Sequence, residues 1–203
     1  MIPAADALTR LRDGNRRFVS GQSPAQTLSH NVRRLLAGDQ APFAIVLGCS
    51  DSRVPAELVF DQGFGDLFVI RVAGNIVAPS QVGSVEFAAS RFGTKLVVVM
   101  GHQHCGAIDA TLEELLDGTT TQSRGLRSIV DRVKPAVSTL LAGRPGLDRK
   151  TLAREAVRAN VRASVDHLSH GSELLERLVY NDGLLIVGAE YSLDTGIVTF
   201  LDS

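Results

Sequence analysis

Two cysteines and a histidine are the residues of this sequence whose types and spacing best fit metal chemistry. Cys49 and Cys105 are the only cysteines in the chain, and His102 lies three residues before the second of them. Each cysteine has a glycine beside it, and each segment follows an apolar run that is typical of a buried strand. Two thiolates and one imidazole suit zinc, and three protein ligands leave a fourth tetrahedral position open, as in catalytic zinc sites. The sequence therefore predicts one zinc ion per chain at these three residues.

Two other interpretations of the same residues remain open at this point. The number of cysteines allows a disulfide, although a disulfide does not explain His102 and the sequence does not resemble that of a secreted protein. Alternatively, both cysteines are plain core residues and the histidine is unrelated to them. Asp51 and Arg53 are two residues apart and can form an ion pair, but Asp51 can also cap a short helix that begins near Pro55.

Composition and charge narrow the classes of partner. The 203 residues include 21 basic and 22 acidic side chains, and a net charge of −1 gives no field that favours nucleic acid or a membrane surface. No apolar stretch approaches the ~20 residues that a membrane span needs. Residues 1–20 lack the apolar core of a signal peptide. We therefore expect a cytoplasmic protein with reduced thiols and with neither a nucleic-acid nor a membrane partner.

Strands alternate with helices along the chain, which indicates a single α/β domain over residues 1–203. We expect a mostly parallel central β-sheet flanked by helices, with one antiparallel edge strand contributed by a C-terminal hairpin. The expected strands are residues 43–48, 67–70, 96–100, 184–187 and 197–201. The expected helices are residues 6–19, 29–36, 55–59, 79–92, 105–116, 126–141, 151–170 and 172–179.

The predicted domain has an N-terminal helical arm (1–40), an α/β core that carries the zinc site (41–120), and helices followed by the terminal hairpin (121–203). Pro135 predicts a kink or a break in its helix. The helix over residues 151–170 has only a loose apolar stripe and many charges, so we expect it at a surface or an interface. The zinc site lies at the carboxyl ends of strands, where open α/β sheets bind ligands.

Three motifs resemble those of the β-class carbonic anhydrases: Cys-Ser-Asp-Ser-Arg-Val-Pro-Ala-Glu at 49–57, Arg-Val-Ala-Gly-Asn at 71–75 and Gly-His-x-x-Cys-Gly at 101–106. The resemblance covers nearly the whole chain. It implies a zinc lyase that interconverts carbon dioxide and bicarbonate. It also implies a homodimer, or a homotetramer built as a dimer of dimers, in which the N-terminal helical arm packs on a partner subunit.

The resemblance further implies roles for residues near the metal. Asp51 would orient zinc-bound hydroxide, and Arg53 would hold Asp51 through a charge-assisted hydrogen bond. Gln62 would come from the neighbouring subunit and donate a hydrogen bond to a bicarbonate oxygen. The other substrate-binding residues that it implies lie around a carbon dioxide pocket and are Phe87, Val72, Tyr191 and Gly106.

One subtype of the family has an allosteric bicarbonate site built from a Trp, an Arg and a Tyr. Arg71 and Tyr191 align with two of these residues, but Val46 stands at the tryptophan position, and the chain has no tryptophan. We therefore expect the open subtype, with Asp51 off the metal and Arg71 in a structural role. Two rival functions remain: hydrolysis of carbonyl sulfide or carbon disulfide on the same scaffold, and a non-catalytic zinc or redox-sensing module.

Overall fold

The computed structural model describes residues 2–23, 34–120 and 123–201 of the protein. Its strands are β1 (Ala44–Gly48), β2 (Leu67–Arg71), β3 (Leu96–His102), β4 (Leu185–Tyr191) and β5 (Val198–Phe200). Its helices over the described ranges are α1 (Ala4–Val19), α2 (Ala56–Val59), α3 (Pro79–Arg91), α4 (Gly106–Asp117), α5 (Arg124–Gly143), α6 (Arg149–His170) and α7 (Glu173–Asp182). A short 3₁₀ turn at Ala73–Asn75 separates β2 from α3.

The five strands form one sheet in the order β2-β1-β3-β4-β5. The first four are parallel to their neighbours, and β5 runs antiparallel to β4 as the second strand of the C-terminal hairpin. The predicted fold class is thus confirmed. In the register of β1 and β3, Gly48 pairs with Met100, so the chain segments that follow these two strands begin side by side at one edge of the sheet.

Successive strand residues face opposite sides of the sheet, which is the period-two geometry of a strand. In β1, Ala44 and Val46 contribute to a core under α1 and α2, whereas Ile45 and Leu47 contribute to a core under α3, α6 and α7. A third apolar cluster lies at the carboxyl edge of the sheet and combines residues of α4, α5 and α6. Both faces of the central strands are therefore covered by helices.

Helix α1 packs on its own chain, against one face of the sheet. Ala7 and Leu11 are fully buried there, and a Cβ added to Gly14 would lie 1.8 Å from the carbonyl oxygen of Phe60. Its own domain thus covers one face of this helix, and packing of the N-terminal arm on a partner subunit stays a prediction. The helix expected over residues 29–36 falls mostly on residues outside the described ranges.

The buried side chain of Asn15 fastens α1 to two other elements. Its Nδ2 donates to the carbonyl oxygens of Val59 (3.0 Å) and Gly196 (2.9 Å), and its Oδ1 accepts from the backbone N–H of Val198 (2.9 Å). All three partners are backbone groups, so one amide satisfies α2 and the terminal hairpin together.

The structure bears on two expectations about the later helices. Helix α5 runs through Pro135 without a break, because its buried residues Val130, Val133 and Val137 pack along one face and hold the helix on both sides of the proline. Helix α6 packs one face against β3, β4 and α5, whereas Arg154, Arg162 and Asp166 on its outer face are exposed, so its expected place at the surface is confirmed. Within the described residues, no helix has the length and apolar character needed to span a membrane.

The space around two helical glycines, Gly14 in α1 and Gly83 in α3, predicts opposite effects of an alanine substitution on stability. Gly14→Ala should lower the free energy of unfolding by about 3 kcal/mol, because its Cβ would overlap a backbone oxygen that cannot move aside. Gly83→Ala in α3 is the matched control: nothing lies within 4 Å of its added Cβ, so it should raise stability by roughly 0.5–1 kcal/mol. Urea denaturation at equal protein concentration measures both. A Gly14→Ala protein as stable as the native one would show that α1 does not pack here.

Candidate metal centre

The carboxyl ends of β1 and β3 bring the three predicted metal ligands together. Cys49 follows the last residue of β1, His102 is the last residue of β3, and Cys105 is the N-cap of α4. Their ligand atoms all lie within 4.8 Å of one another, and all three side chains are buried. One ion with zinc–sulfur bonds of ~2.3 Å can span this separation.

The imidazole of His102 has one nitrogen engaged and the other available to a ligand. Nδ1 lies 2.7 Å from the carbonyl oxygen of Gln103, the kind of contact that fixes the tautomer and orientation of metal-binding histidines. Nε2 is buried and has no hydrogen-bond partner among the residues that the structure describes. A buried polar atom without a partner is costly, and a metal ion would supply the missing interaction. The donor set therefore fits a zinc ion.

The two cysteines share a proton. The hydrogen bond with Cys105 is the main cause that lowers the pKa of Cys49 to about 4, against the opposing effect of burial. The same hydrogen bond, together with burial, raises the pKa of Cys105. Burial lowers the pKa of His102, but the hydrogen bond and charge of Cys49 outweigh it and the net shift is upward. A cation that binds all three groups must therefore displace protons from them. Neither cysteine is bonded to the other, so the disulfide that their number allowed is not formed.

Asp51 lies beside the three ligands and is held by Arg53. Its Oδ2 is 4.0 Å from Nε2 of His102. Arg53 donates to the carboxylate from Nε (2.9 Å), from Nη2 (2.7 Å) and from its backbone N–H (2.9 Å). The side-chain hydrogen bond from Arg53 is the main reason that the pKa of Asp51 lies far below its usual range. Asp51 does not cap α2, whose N-cap is Pro55, without a side-chain hydrogen bond.

Arg71, the last residue of β2, holds the backbone of the loop that follows β1. Its Nε donates to the carbonyl oxygen of Cys49 (3.0 Å), and its Nη2 donates to that of Asp51 (2.6 Å). These bonds give Arg71 the structural role expected for it. Arg53 links this loop to the segment that follows β3, because its Nη2 also donates to the carbonyl oxygen of His104 at 3.3 Å.

Three contributors to the site are missing from the sequence-based prediction. The backbone N–H of Gly74 lies 3.4 Å from Sγ of Cys49 and donates to it. Asn160 and Ser164, both buried in α6, donate to the carbonyl oxygens of Gly74 (2.8 Å) and Asn75 (3.2 Å). The available signal was two polar residues spaced by four, which places them on one face of a helix.

Three of the predicted substrate-binding residues lie near the ligands. Val72 packs against the apolar cluster that contains Cys49 and Cys105. Gly106 is the first residue of α4, directly after Cys105. Tyr191 is opposite His102 in the register of β3 and β4, and its burial raises the pKa of its hydroxyl group.

Two predicted substrate-binding residues have other surroundings in this chain. Gln62 is 3% exposed, accepts a hydrogen bond from Nε of Arg10 (3.1 Å) and donates to the carbonyl oxygen of Phe60 (2.7 Å). Phe87 is 53% exposed, and its ring packs against those of Phe68 and Phe92. Neither side chain belongs to the group of three ligands within this chain.

Comparison with known proteins shows clear similarity at the level of sequence and of fold. The family model described as carbonic anhydrase matches residues 44–198. Carbonic anhydrase 2 of Mycobacterium tuberculosis is 41% identical over 194 residues, which cover 95% of this chain and 90% of that protein. A β-carbonic anhydrase of Aspergillus fumigatus shares the fold with a TM-score of 0.77, at 24% identity over 98% of this chain and 90% of the other. A structure of tetrameric β-carbonic anhydrases from Sordaria macrospora gives a TM-score of 0.74, at 22% identity over 98% of both chains.

The matched segment covers more than half of the chain and encloses the three ligands together with Asp51 and Arg53. The structural matches share the fold that brings these residues together, and the mycobacterial relative is similar in sequence over nearly the whole chain. The fold, the family match and the sequence identity agree, and the chain therefore belongs to the β class of the carbonic anhydrase family.

Proposed function

We propose that this protein is a carbonate dehydratase, which hydrates carbon dioxide reversibly to bicarbonate and a proton and needs one zinc ion per chain. Family membership supports the activity. The observation that carries the metal requirement is the buried group of Cys49, His102 and Cys105, in which Nε2 of the histidine has no other partner among the described residues. When bound, zinc supplies a Lewis acid that lowers the pKa of water, so that hydroxide is available near neutral pH.

The Asp51 carboxylate orients the nucleophile. It is ionised, and its three hydrogen bonds from Arg53 fix its position beside the ligands. With Oδ2 at 4.0 Å from Nε2 of His102, it can accept a hydrogen bond from a hydroxyl group in the open position, which directs an oxygen lone pair at the substrate carbon. Because Arg53 engages both oxygens, the carboxylate stays off the position that the nucleophile needs, as in the open subtype.

Carbon dioxide is small and uncharged, so an apolar surface beside the nucleophile suits it. Val72 and Tyr191 provide such a surface near the ligands, and Gly106 leaves space because it has no side chain. These three residues are the substrate-binding residues that the geometry supports best.

The location of the protein in the cytoplasm stays a prediction.

The active unit is proposed to be a homodimer or a dimer of dimers. The relatives from Sordaria macrospora are described as tetrameric. Phe87 fits a contact with a second copy, because its ring is half-exposed in a groove that also includes Phe64. The proposed hydrogen bond from Gln62 to bicarbonate in a neighbouring subunit fits less well, because its buried amide would first have to break its hydrogen bonds with Arg10 and Phe60.

The two rival functions gain no support from the described residues. A purely structural zinc site is closed by a fourth protein ligand, whereas this group has three, with an ionised carboxylate held just beside it. That arrangement argues against a non-catalytic zinc or redox-sensing module. Hydrolysis of carbonyl sulfide or carbon disulfide would use the same residues, so a direct assay of all three substrates separates the two activities.

Removing one sulfur ligand should abolish stoichiometric zinc binding. Native protein that has been dialysed against excess zinc in a buffer without chelator should hold one ion per chain. The X-ray absorption spectrum of this ion should show two sulfur neighbours, one nitrogen neighbour and one further light-atom neighbour. Cys49→Ser should lose the ion, because a neutral hydroxyl replaces a thiolate. Met100→Leu is the control, since it removes a buried sulfur at the same edge of the sheet that is not in the ligand group. Full zinc content in Cys49→Ser would contradict the ligand assignment.

Loss of the Asp51 partner should reduce turnover without removing zinc. In Arg53→Ala, kcat for hydration should fall about 100-fold, because Asp51 is no longer fixed. Arg144→Ala is a matched control: this arginine pairs with Glu155 at 3.1 Å, its side chain is 63% exposed against 54% for Arg53, and it lies away from the ligands. Stopped-flow assays with zinc analysis measure both quantities. Equal turnover in the two variants would rule out the Asp51–Arg53 role.

Turnover should rise with pH between about pH 6 and 9. The pKa of Asp51 is far below this range, so its carboxylate is ionised throughout and does not titrate there. The titrating group is the attacking water, whose deprotonated form is the nucleophile. Two thiolates offset the charge of the ion, so this water should be less acidic than at a site with three neutral imidazoles. Most of the increase in turnover should therefore occur in the alkaline part of the range. A pH profile of kcat/KM tests this, and a flat profile would contradict it.

A further inference from the structure

We propose that Asn160 and Ser164 of α6 are positioning residues for the metal centre. They hold the turn Ala73–Asn75 in the conformation that aims the backbone N–H of Gly74 at Sγ of Cys49. Neither side chain touches a metal ligand, so both act through the turn. This inference rests on the proposed zinc centre, and it concerns residues far from the three sequence motifs.

The turn needs support because its backbone conformation is unfavourable. Gly74 has φ of 69° and Asn75 has φ of 42°, so two consecutive residues lie in the left-handed region. Asparagine tolerates this region better than most L-residues but still at a cost, and such a conformation persists only where the surroundings hold it. A side chain at position 74 would also meet Ala107, because an added Cβ would lie 2.9 Å from the Cβ of that residue.

Helix α6 supplies two donors to the two residues in this conformation. Nδ2 of Asn160 donates to the carbonyl oxygen of Gly74 at 2.8 Å, and Oγ of Ser164 donates to that of Asn75 at 3.2 Å. The residues are four apart and therefore lie one above the other on the same helix face. Their side chains are 2% and 5% exposed, so water cannot replace these bonds easily.

The helix itself is held against the strand that carries His102. An added Cβ on Gly101 would lie 2.7 Å from a methyl of Val161 and 2.9 Å from a methyl of Val157, so α6 sits directly on β3 at this residue. Asn160 lies between these two valines in sequence. The packing of α6 on β3 therefore fixes the position of the Asn160 amide relative to the strand end that carries the His102 imidazole.

The consequence for the sulfur is electrostatic. A backbone N–H that donates to a thiolate stabilises its negative charge, and the bond between Gly74 and Cys49 is 3.4 Å from nitrogen to sulfur. Partners in the outer shell of metal sites orient the ligands, and their loss typically weakens metal binding by about 10- to 100-fold. A helix that only needed to pack on the sheet would place apolar residues at positions 160 and 164, because buried polar groups require partners.

The test compares Asn160→Ala with Asn15→Ala. Asn15 is the matched control: its buried amide also donates to backbone carbonyl oxygens, those of Val59 and Gly196, but on the opposite side of the molecule. The dissociation constant for zinc, from competition with a chelator, should rise about 10-fold in Asn160→Ala. In Asn15→Ala it should stay within about twofold of the native value, even if both variants lose similar stability. The thiolate-to-metal absorption band of the cobalt-substituted protein should move to longer wavelength in Asn160→Ala only, because the sulfur loses a hydrogen bond.

A second pair of variants decides the question if Asn160→Ala does not fold. Ser164→Ala should weaken zinc binding and shift the cobalt band, whereas Ser164→Thr keeps the hydroxyl donor and should behave as the native protein. Native zinc affinity and an unshifted band in Ser164→Ala and in any folded Asn160→Ala would overturn the inference, as would equal changes in Asn15→Ala. Failure of the native protein to bind zinc at all would instead overturn the proposed function, so the two failures are distinguishable.

Discussion

Two sulfur atoms and an imidazole nitrogen, buried within 4.8 Å of one another, impose the constraint on which the rest of the structure depends. Without a cation the two sulfur atoms share a proton, and the hydrogen bond between them is the main cause that lowers the pKa of Cys49 and raises that of Cys105. A divalent cation turns the same arrangement into an attractive one. A cation that binds this arrangement would stabilise the sheet that forms it, so folding and the proposed metal binding would be thermodynamically coupled.

The parallel pairing of β1 with β3 brings Cys49, His102 and Cys105 together. Three hydrogen bonds from arginine side chains to backbone carbonyl oxygens then hold the loops that follow these strands. Gly48 pairs with Met100, so both loops start from the same level of the sheet. Arg71 holds the first loop by two of its carbonyl oxygens. Arg53 joins the first loop to the second, because one guanidinium binds both the Asp51 carboxylate and the carbonyl oxygen of His104. The same side chain that keeps the carboxylate ionised thus also fixes the distance between the two halves of the site.

The clustering of Cys49, His102 and Cys105 and the order of the sheet were predictable from sequence because both depend on local pattern. Apolar runs identify strands, and residues that follow neighbouring parallel strands must meet at one edge. The packing of α1 was not predictable in this way, because an apolar stripe shows that a face is buried and not which surface covers it. The surroundings of Gln62 were equally hidden, since its partner Arg10 is 52 residues away in the chain. Only the three-dimensional structure brings such pairs together.

The loose apolar stripe of α6 has a more specific cause. A turn whose backbone N–H points at a sulfur atom does not have the hydrogen-bonding pattern of a strand or a regular helix, so its own carbonyl oxygens lack the partners that regular structure provides. Those oxygens belong to Gly74 and Asn75, and their donors lie in a helix up to 89 residues further along the chain. The face of α6 that contacts them must therefore be polar where the rest of the face is apolar. Asn160 and Ser164 interrupt the apolar stripe on the face of α6 that packs against the sheet, so their hydrogen bonds to the turn beside Cys49 explain why that stripe looks loose in sequence.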